Sequence, residues 1–156
     1  MLGVQLRERE LLDIWSEADD TRRMRVDFPV SSVTGAASTS VVYFELEPGQ
    51  HCGIHTDSAE EIVLILSGRA EAIVGDERGE LSAGGIGLVP ALVPHDVRNV
   101  GEETVRVVGF FSSATVVSVF DDPLMPVGKR VVGTPLPEET KVAPAGSAPS
   151  GSPITA

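Results

Sequence analysis

Short apolar runs, separated by polar and turn-forming residues, follow one another closely between Ser40 and Ser118. Successive side chains of a strand point to opposite faces, so such runs bounded by Gly, Pro and Asn are typical of short antiparallel strands. Their spacing leaves no room for crossover helices, which favours an all-β jelly-roll barrel or sandwich. The runs predicted as strands are 41–47, 54–56, 61–67, 70–74, 87–89, 97–100, 104–112 and 115–120.

The N-terminal region, residues 1–30, carries two weaker patterns ahead of the barrel at 31–120. Residues 24–28 alternate apolar and charged side chains until Pro29 ends the run, which predicts an edge strand. Residues 6–19 fit a short amphipathic helix imperfectly, through the apolar residues Leu6, Leu11, Leu12, Ile14 and Trp15.

The C-terminal region changes composition after Asp121, where proline becomes frequent. We expect residues 121–142 to form an extension that packs on the barrel. Residues 143–156 consist almost entirely of Ala, Pro, Gly, Ser and Thr, so they have little apolar surface to offset the entropy cost of ordering. We expect this end to be a disordered tail.

Composition and charge narrow the classes of function. The formal net charge of −11 would repel nucleic-acid phosphates and anionic membranes, so neither is expected as a partner. The N-terminus becomes charged before any apolar run of signal-peptide length, which predicts a cytoplasmic protein. Since Cys52 is the one cysteine, there is no intramolecular disulfide or multi-thiolate metal site. Any metal must be held by histidine and carboxylate.

The chain has three histidines, His51, His55 and His95, and the candidate metal ligands cluster around His55 and His95. His55 and Asp57 share a strand face, and a short turn brings Glu61 beside them. An antiparallel fold can supply His95 from a neighbouring strand. Two imidazoles with one or two carboxylates suit Mn, Fe(II), Zn, Ni or Co, so a divalent metal ion is the predicted cofactor.

At these residues the sequence resembles the cupin superfamily, in its single-domain form. The first matching motif consists of Gly49, His55, Asp57, Glu61 and Gly68. The second consists of Gly84, Pro90, Leu92, His95 and Asn99, again at the family's spacing. The resemblance covers roughly residues 40–112. It implies a conical antiparallel jelly-roll barrel, a double-stranded β-helix, with the metal inside.

Two positions depart from the family pattern. Asp57 stands where the second histidine usually is, and Leu92 replaces a turn glycine. Asp57 is either a fourth ligand, which is the interpretation we favour, or a hydrogen-bond partner that orients His55. An oxygen donor makes the site harder and adds negative charge, so the metal's identity stays open.

The remaining candidates concern the surroundings of the metal. By strand alternation Phe44 and Val63 face inward, which predicts a mainly apolar substrate pocket, and Arg106 is a candidate substrate contact. His51 is expected at the rim or surface, and Cys52 is expected to be a small buried apolar residue.

Several functions fit these features. The leading hypothesis is a metal-dependent dioxygenase for a small apolar, chelating substrate, because two histidines and a carboxylate also form the facial triad of non-haem Fe(II) oxygenases. A metal-dependent isomerase, lyase or cyclase, or a non-catalytic binding or sensing protein, remains open because fold does not fix function. We also expect a homodimer, paired through the edge strand at residues 24–28.

Overall fold

The computed structural model describes residues 1–134, which form twelve β-strands and two one-turn 3₁₀ helices, Leu6–Glu8 and Ser32–Thr34. The strands are β1 (Leu12–Trp15), β2 (Arg23–Val30), β3 (Ser40–Leu46), β4 (His55–Asp57), β5 (Glu61–Ser67), β6 (Arg69–Val74), β7 (Glu77–Ser82), β8 (Ile86–Val89), β9 (His95–Asn99), β10 (Val105–Phe111), β11 (Val117–Leu124) and β12 (Lys129–Gly133). Within residues 1–134, no helix is long and apolar enough to cross a membrane.

The strands form two six-stranded sheets, which we call sheet A and sheet B. Sheet A has the order β1-β2-β3-β10-β5-β8, and sheet B has the order β12-β11-β4-β9-β6-β7. All strand pairs are antiparallel. The chain crosses repeatedly from one sheet to the other, so ligands far apart in sequence meet between them. The all-β jelly-roll prediction is confirmed.

The core lies between the sheets and follows strand alternation. In sheet A, β5 buries alternate residues because one of its faces is turned towards sheet B, whereas β3 and β10 are buried at most positions. In sheet B the same alternation buries Val97, Val116 and Phe120. The largest fully buried apolar side chains of the core include Leu46, Ile65, Val105, Val107 and Leu124.

The connection between β8 and β9 contains Leu92, which stands where the cupin pattern has a turn glycine. This residue has φ of 65°, the left-handed conformation that glycine adopts without a steric penalty. Its backbone N–H donates to Asp57 O at 2.8 Å, so the unusual backbone ties this turn to β4.

The N-terminal region differs from the sequence prediction in two respects. A helix over residues 6–19 is wrong: the structure has one 3₁₀ turn and the strand β1, which pairs with β2 from Leu12↔Val26 to Trp15↔Arg23. Consequently β2 is not an edge strand, since β1 lies on one side and β3 on the other. The apolar residues of 11–15 belong to a strand because pairing with β2 stabilises the extended conformation more than their weak helical pattern stabilises a helix.

The C-terminal extension is an integral part of sheet B as far as the structure describes it. β11 runs on to Leu124, and β12 pairs with it as the edge strand. Residues 135–142 of the predicted extension and the predicted disordered tail at 143–156 lie outside the described residues.

Candidate metal centre

Four side chains from three strands converge between the sheets. His55 and Asp57 lie on β4, and His95 begins β9, where its Cα is the register partner of His55. Glu61 begins β5 and reaches the centre from sheet A. The structure thus brings His55, Asp57 and His95 together as one group that could hold a metal, and Glu61 lies beside that group, within reach of His95.

The distances among these side chains suit a single ion. Asp57 Oδ2 lies 3.1 Å from His95 Nε2 and 3.7 Å from His55 Nε2. Glu61 Oε2 lies 4.0 Å from His95 Nε2. Two donors that each bind one ion at about 2.1 Å can be at most about 4.2 Å apart. The separations from Asp57 to the two histidines fit this limit, and these three residues form one possible metal-binding group. Glu61 meets the limit towards His95 but is not part of that group.

The orientation of both imidazoles also fits a metal. His55 Nδ1 lies 2.7 Å from Gly53 O, and His95 Nδ1 lies 2.9 Å from Val93 O. Each Nδ1–H donates to a carbonyl, which leaves the lone pair of each Nε2 facing the centre.

His95 Nε2 provides the clearest test of fit. This atom is buried and, among the described residues, makes no hydrogen bond, because its geometry towards Asp57 fails despite the short distance. A lone pair facing a carboxylate is an unfavourable pairing of two acceptors unless a proton or a metal ion lies between them. A divalent ion would satisfy both.

The electrostatics of the centre point the same way. Burial raises the pKa of Glu61 to about 8, and the nearby Asp57 charge adds to the rise. Burial would raise the pKa of Asp57 too, but the close approach of His95, the charge of His55 and the Ser118 hydroxyl together lower it. Burial also lowers the pKa of His55, as does the charge of His95. Without a cation, Glu61 is therefore largely protonated at neutral pH while Asp57 is ionised.

Three residues that sequence reasoning missed shape the centre. Ser118 Oγ donates to Asp57 Oδ1, which leaves Oδ2 facing the histidines. The Phe120 ring stacks on His55, with the ring centroids 4.4 Å apart. A Cβ at Gly109 would lie 1.9 Å from Glu61 Oε1, so this position needs glycine. The available signal was a lone glycine inside an apolar strand, which often marks a close approach.

The segment that precedes β4 is fixed by two buried polar side chains. Arg22 donates from Nη2 to Ile54 O at 3.2 Å, while its Nη1 lies 2.6 Å from Asp122 Oδ2. Asp96 Oδ1 accepts the Gly53 N–H at 2.8 Å. These bonds fix the position of the Gly53 carbonyl, which in turn orients His55.

His51 and Cys52 lie next to this segment. The prediction of His51 as a rim or surface residue is wrong: it is buried, with Nδ1 2.6 Å from Asp96 Oδ2 and Nε2 3.1 Å from Asp19 Oδ2. The hydrogen bond to Asp96 raises the pKa of His51 despite the opposing effect of burial. Cys52 is buried as expected, and burial raises the pKa of its thiol.

The centre opens into a cavity of about 560 Å³ between the sheets. Phe44 and Val63 line it, as the sequence suggested. Arg106 does not: it lies on the other face of β10, where its Nε is 3.3 Å from Glu45 Oε1. Most of the other lining residues are apolar, and they include Leu12, Ile14, Met24, Val26, Phe28, Val33, Val42, Cys52, Val97, Phe111 and Leu124.

Comparison with known proteins supports the fold. Residues 42–111 match the family model described as a cupin domain. No curated protein sequence matches the chain.

Solved structures of low sequence identity share the fold. A Lactobacillus farciminis oxalate decarboxylase formate complex is 21% identical, with a TM-score of 0.61 over 71% of this chain and 33% of that chain. A Bacillus subtilis oxalate decarboxylase, studied for its Mn(II) centres, is 19% identical, with a TM-score of 0.58 over 69% of this chain and 30% of that chain.

The Schizosaccharomyces pombe Cnp3 cupin domain is 17% identical, with a TM-score of 0.59 over 72% of this chain and 74% of that chain. This chain thus spans about a third of the oxalate decarboxylases, and at these identities the likeness concerns the fold.

Proposed function

This chain carries a cupin domain, and on that premise we propose that it is a metal-dependent enzyme of dioxygenase type acting on a small, apolar, chelating molecule. The observation that supports the proposal is the convergence of His55, Asp57, Glu61 and His95 at one end of a largely apolar cavity. In such a cavity a substrate could bind the metal through one polar group and bury the rest of its surface.

The donor set favours a hard to borderline metal. Two imidazole nitrogens and two carboxylates carry two negative charges, which neutralise a divalent ion and suit Mn or Fe(II) better than copper. When bound, such an ion would polarise a substrate oxygen and offer open coordination positions. Asp57 and Glu61 would hold the ion from opposite sheets. The hydrogen bonds to Gly53 O and Val93 O would keep the two imidazole rings in the orientation that binds it.

The apolar wall has its own role in this proposal. Phe44, Val63 and Phe111 would exclude water from the reacting group, which strengthens electrostatic interactions inside the site. Among the described residues that line the cavity, Lys129 is the one cation. A small dianion such as oxalate would require more cationic partners, so this cavity suits an apolar substrate better.

The test is metal analysis of the purified protein, followed by O₂ uptake with catechols, flavonols and β-diketones after loading with Fe(II) or Mn(II). We expect uptake with at least one class and none in the His95→Ala protein. Arg106→Ala is the matched control and should retain activity, because Arg106 lies outside the cavity.

Three outcomes would contradict the proposal in different ways. Metal binding with saturable ligand binding but no turnover would indicate the non-catalytic binding alternative. Turnover without O₂ consumption would indicate an isomerase, lyase or cyclase. Absence of metal binding under all loading conditions would exclude both the metal-dependent enzyme and a binding protein that uses the metal.

A further inference from the structure

The outer face of sheet A is apolar across three neighbouring strands, β5, β8 and β10. Phe110 pairs with Ile62, which pairs with Leu88, and the next row joins Val108, Leu64 and Ile86 in the same way. We call this surface the outer apolar face. Its large exposed side chains, with their exposed fractions, are Ile62 (46%), Leu66 (43%), Ile86 (65%), Leu88 (57%) and Phe110 (43%).

The sequence of these strands is typical of strands that are covered on both sides. β5 reads Ile-Val-Leu-Ile-Leu between Glu61 and Ser67, with no polar residue on its outward positions. A strand with one solvated face normally alternates apolar and polar residues, whereas continuous apolar runs occur in strands buried on both faces. In sheet B, by contrast, the hairpin of β6 and β7 carries Arg69, Glu71, Arg78 and Glu80.

We infer that the outer apolar face binds a second copy of the chain and forms a homodimer. Each copy carries a net charge of −11, so two copies repel at long range, and the repulsion is weakest when they meet through a surface without carboxylates. The outward residues of β5, β8 and β10 include no Asp or Glu, and Arg106 lies at the border. A two-fold dimer would place this neutral surface against itself, which is the commonest oligomeric arrangement.

The size of the face agrees with a stable dimer. If a large apolar residue presents roughly 200 Å² when fully exposed, the exposed fractions of these five side chains correspond to about 500 Å² of apolar surface. A standard interface buries about 800 Å² on each partner, and about 60% of that area is apolar. The outer apolar face alone therefore supplies the apolar part of one such interface. Pairing through residues 24–28 is not available, because β1 already pairs with β2 there.

Sedimentation equilibrium of the full chain at micromolar concentration tests this inference. We expect twice the 16.4 kDa chain mass for the parent protein. Ile62→Lys places a charge in the centre of the face and should give the mass of one chain. Val119→Lys is the matched control, since Val119 is 41% exposed on β11 of sheet B, and it should remain dimeric.

A second measurement covers the case in which Ile62→Lys disrupts folding. Cys52 is the one cysteine and is buried, so a Leu88→Cys variant has a single accessible thiol. Its labelling should slow as protein concentration rises, because dimer formation covers the thiol. A parent protein with the mass of one chain, or labelling that is independent of concentration, would overturn the inference. Binding of the parent to neutral lipid vesicles without self-association would assign the face to a membrane and would also overturn it.

Discussion

Sheets A and B contribute differently to the same centre. Sheet B supplies His55, Asp57 and His95 together with Ser118 and Phe120, which hold Asp57 and His55 in place. Sheet A supplies Glu61 alone, whose carboxylate has room because Gly109 has no side chain. Otherwise sheet A forms much of the apolar wall of the cavity. The difference indicates that sheet B sets the geometry of the candidate ligands, whereas sheet A adjusts the charge of the centre and shapes the cavity.

The largest effect should come from removing a ligand of sheet B. His95→Ala deletes the one buried ring nitrogen that has no hydrogen-bond partner among the described residues. If four ligands share the binding free energy, each contributes roughly 3 kcal/mol, so metal affinity should fall at least about 100-fold. Competitive metal titration measures the loss, and the far-ultraviolet circular dichroism spectrum serves as the control for folding. Unchanged affinity would remove His95 from the ligand set.

The contribution of Glu61 from sheet A should appear as a pH dependence of the metal-free protein. Its pKa is raised from 4.5 to about 8, so between these pH values the folded state binds more protons than the unfolded state. The free energy of unfolding should therefore fall, by as much as a few kcal/mol, as pH rises through this window.

Urea denaturation at several pH values measures this slope, and Glu61→Gln should flatten it. Saturating metal should also flatten it, because a bound cation favours the ionised carboxylate. A slope that is equal in the parent and in Glu61→Gln would show that Glu61 does not titrate in this way.

Gly109→Ala tests whether sheet A must leave room for Glu61. A Cβ here would lie 1.9 Å from Glu61 Oε1 and 2.7 Å from Val42 Cγ1, so the carboxylate or the strand has to move. We expect a loss of about 1 to 3 kcal/mol in the free energy of unfolding, and weaker metal binding. Gly79→Ala in β7 is the matched control, since nothing lies within 4 Å of its added Cβ. Equal effects of both substitutions would contradict this packing account.

The smallest effect should come from the polar side chains behind His55. Arg22→Gln removes the bond to Ile54 O and the pairing with Asp122, so the Gly53 carbonyl should orient His55 less well. Loss of such outer partners commonly lowers metal affinity by about tenfold or more. Arg23→Gln breaks the exposed pairing with Asp13 and the contact with the Trp15 ring, and it should leave metal binding unchanged. Indistinguishable affinities of the two variants would show that Arg22 does not position His55.

The closeness of the candidate ligands could be predicted from sequence because it depends largely on short-range rules. His55 and Asp57 share a face by strand alternation, Glu61 follows one turn later, and the family spacing located His95. Ser118 and Arg22 could not be predicted, since their contacts with Asp57 and Ile54 depend on the pairing of distant strands. Arg106 was misplaced because alternation indicates that neighbouring residues face opposite ways, but not which of them faces the cavity.

Strands with continuous apolar runs could be predicted from the sequence. The prediction failed for strands without such runs. β5 and β10 have long apolar sequences, and the predictions at 61–67 and 104–112 agree with them. β7 was missed because half of the residues of Glu77–Ser82 are charged and most are exposed, and it is a strand through its pairing with β6. β1 was read as a helix because its few apolar residues fit both periods.

Anomalous X-ray diffraction from crystals of the Mn(II)- or Fe(II)-loaded protein would locate the ion. We expect one metal peak between the sheets, about 2.0 to 2.3 Å from His55 Nε2, His95 Nε2, Asp57 Oδ2 and a Glu61 carboxylate oxygen. A peak bound by other residues, or crystals of loaded protein with no peak among these four side chains, would contradict this expectation.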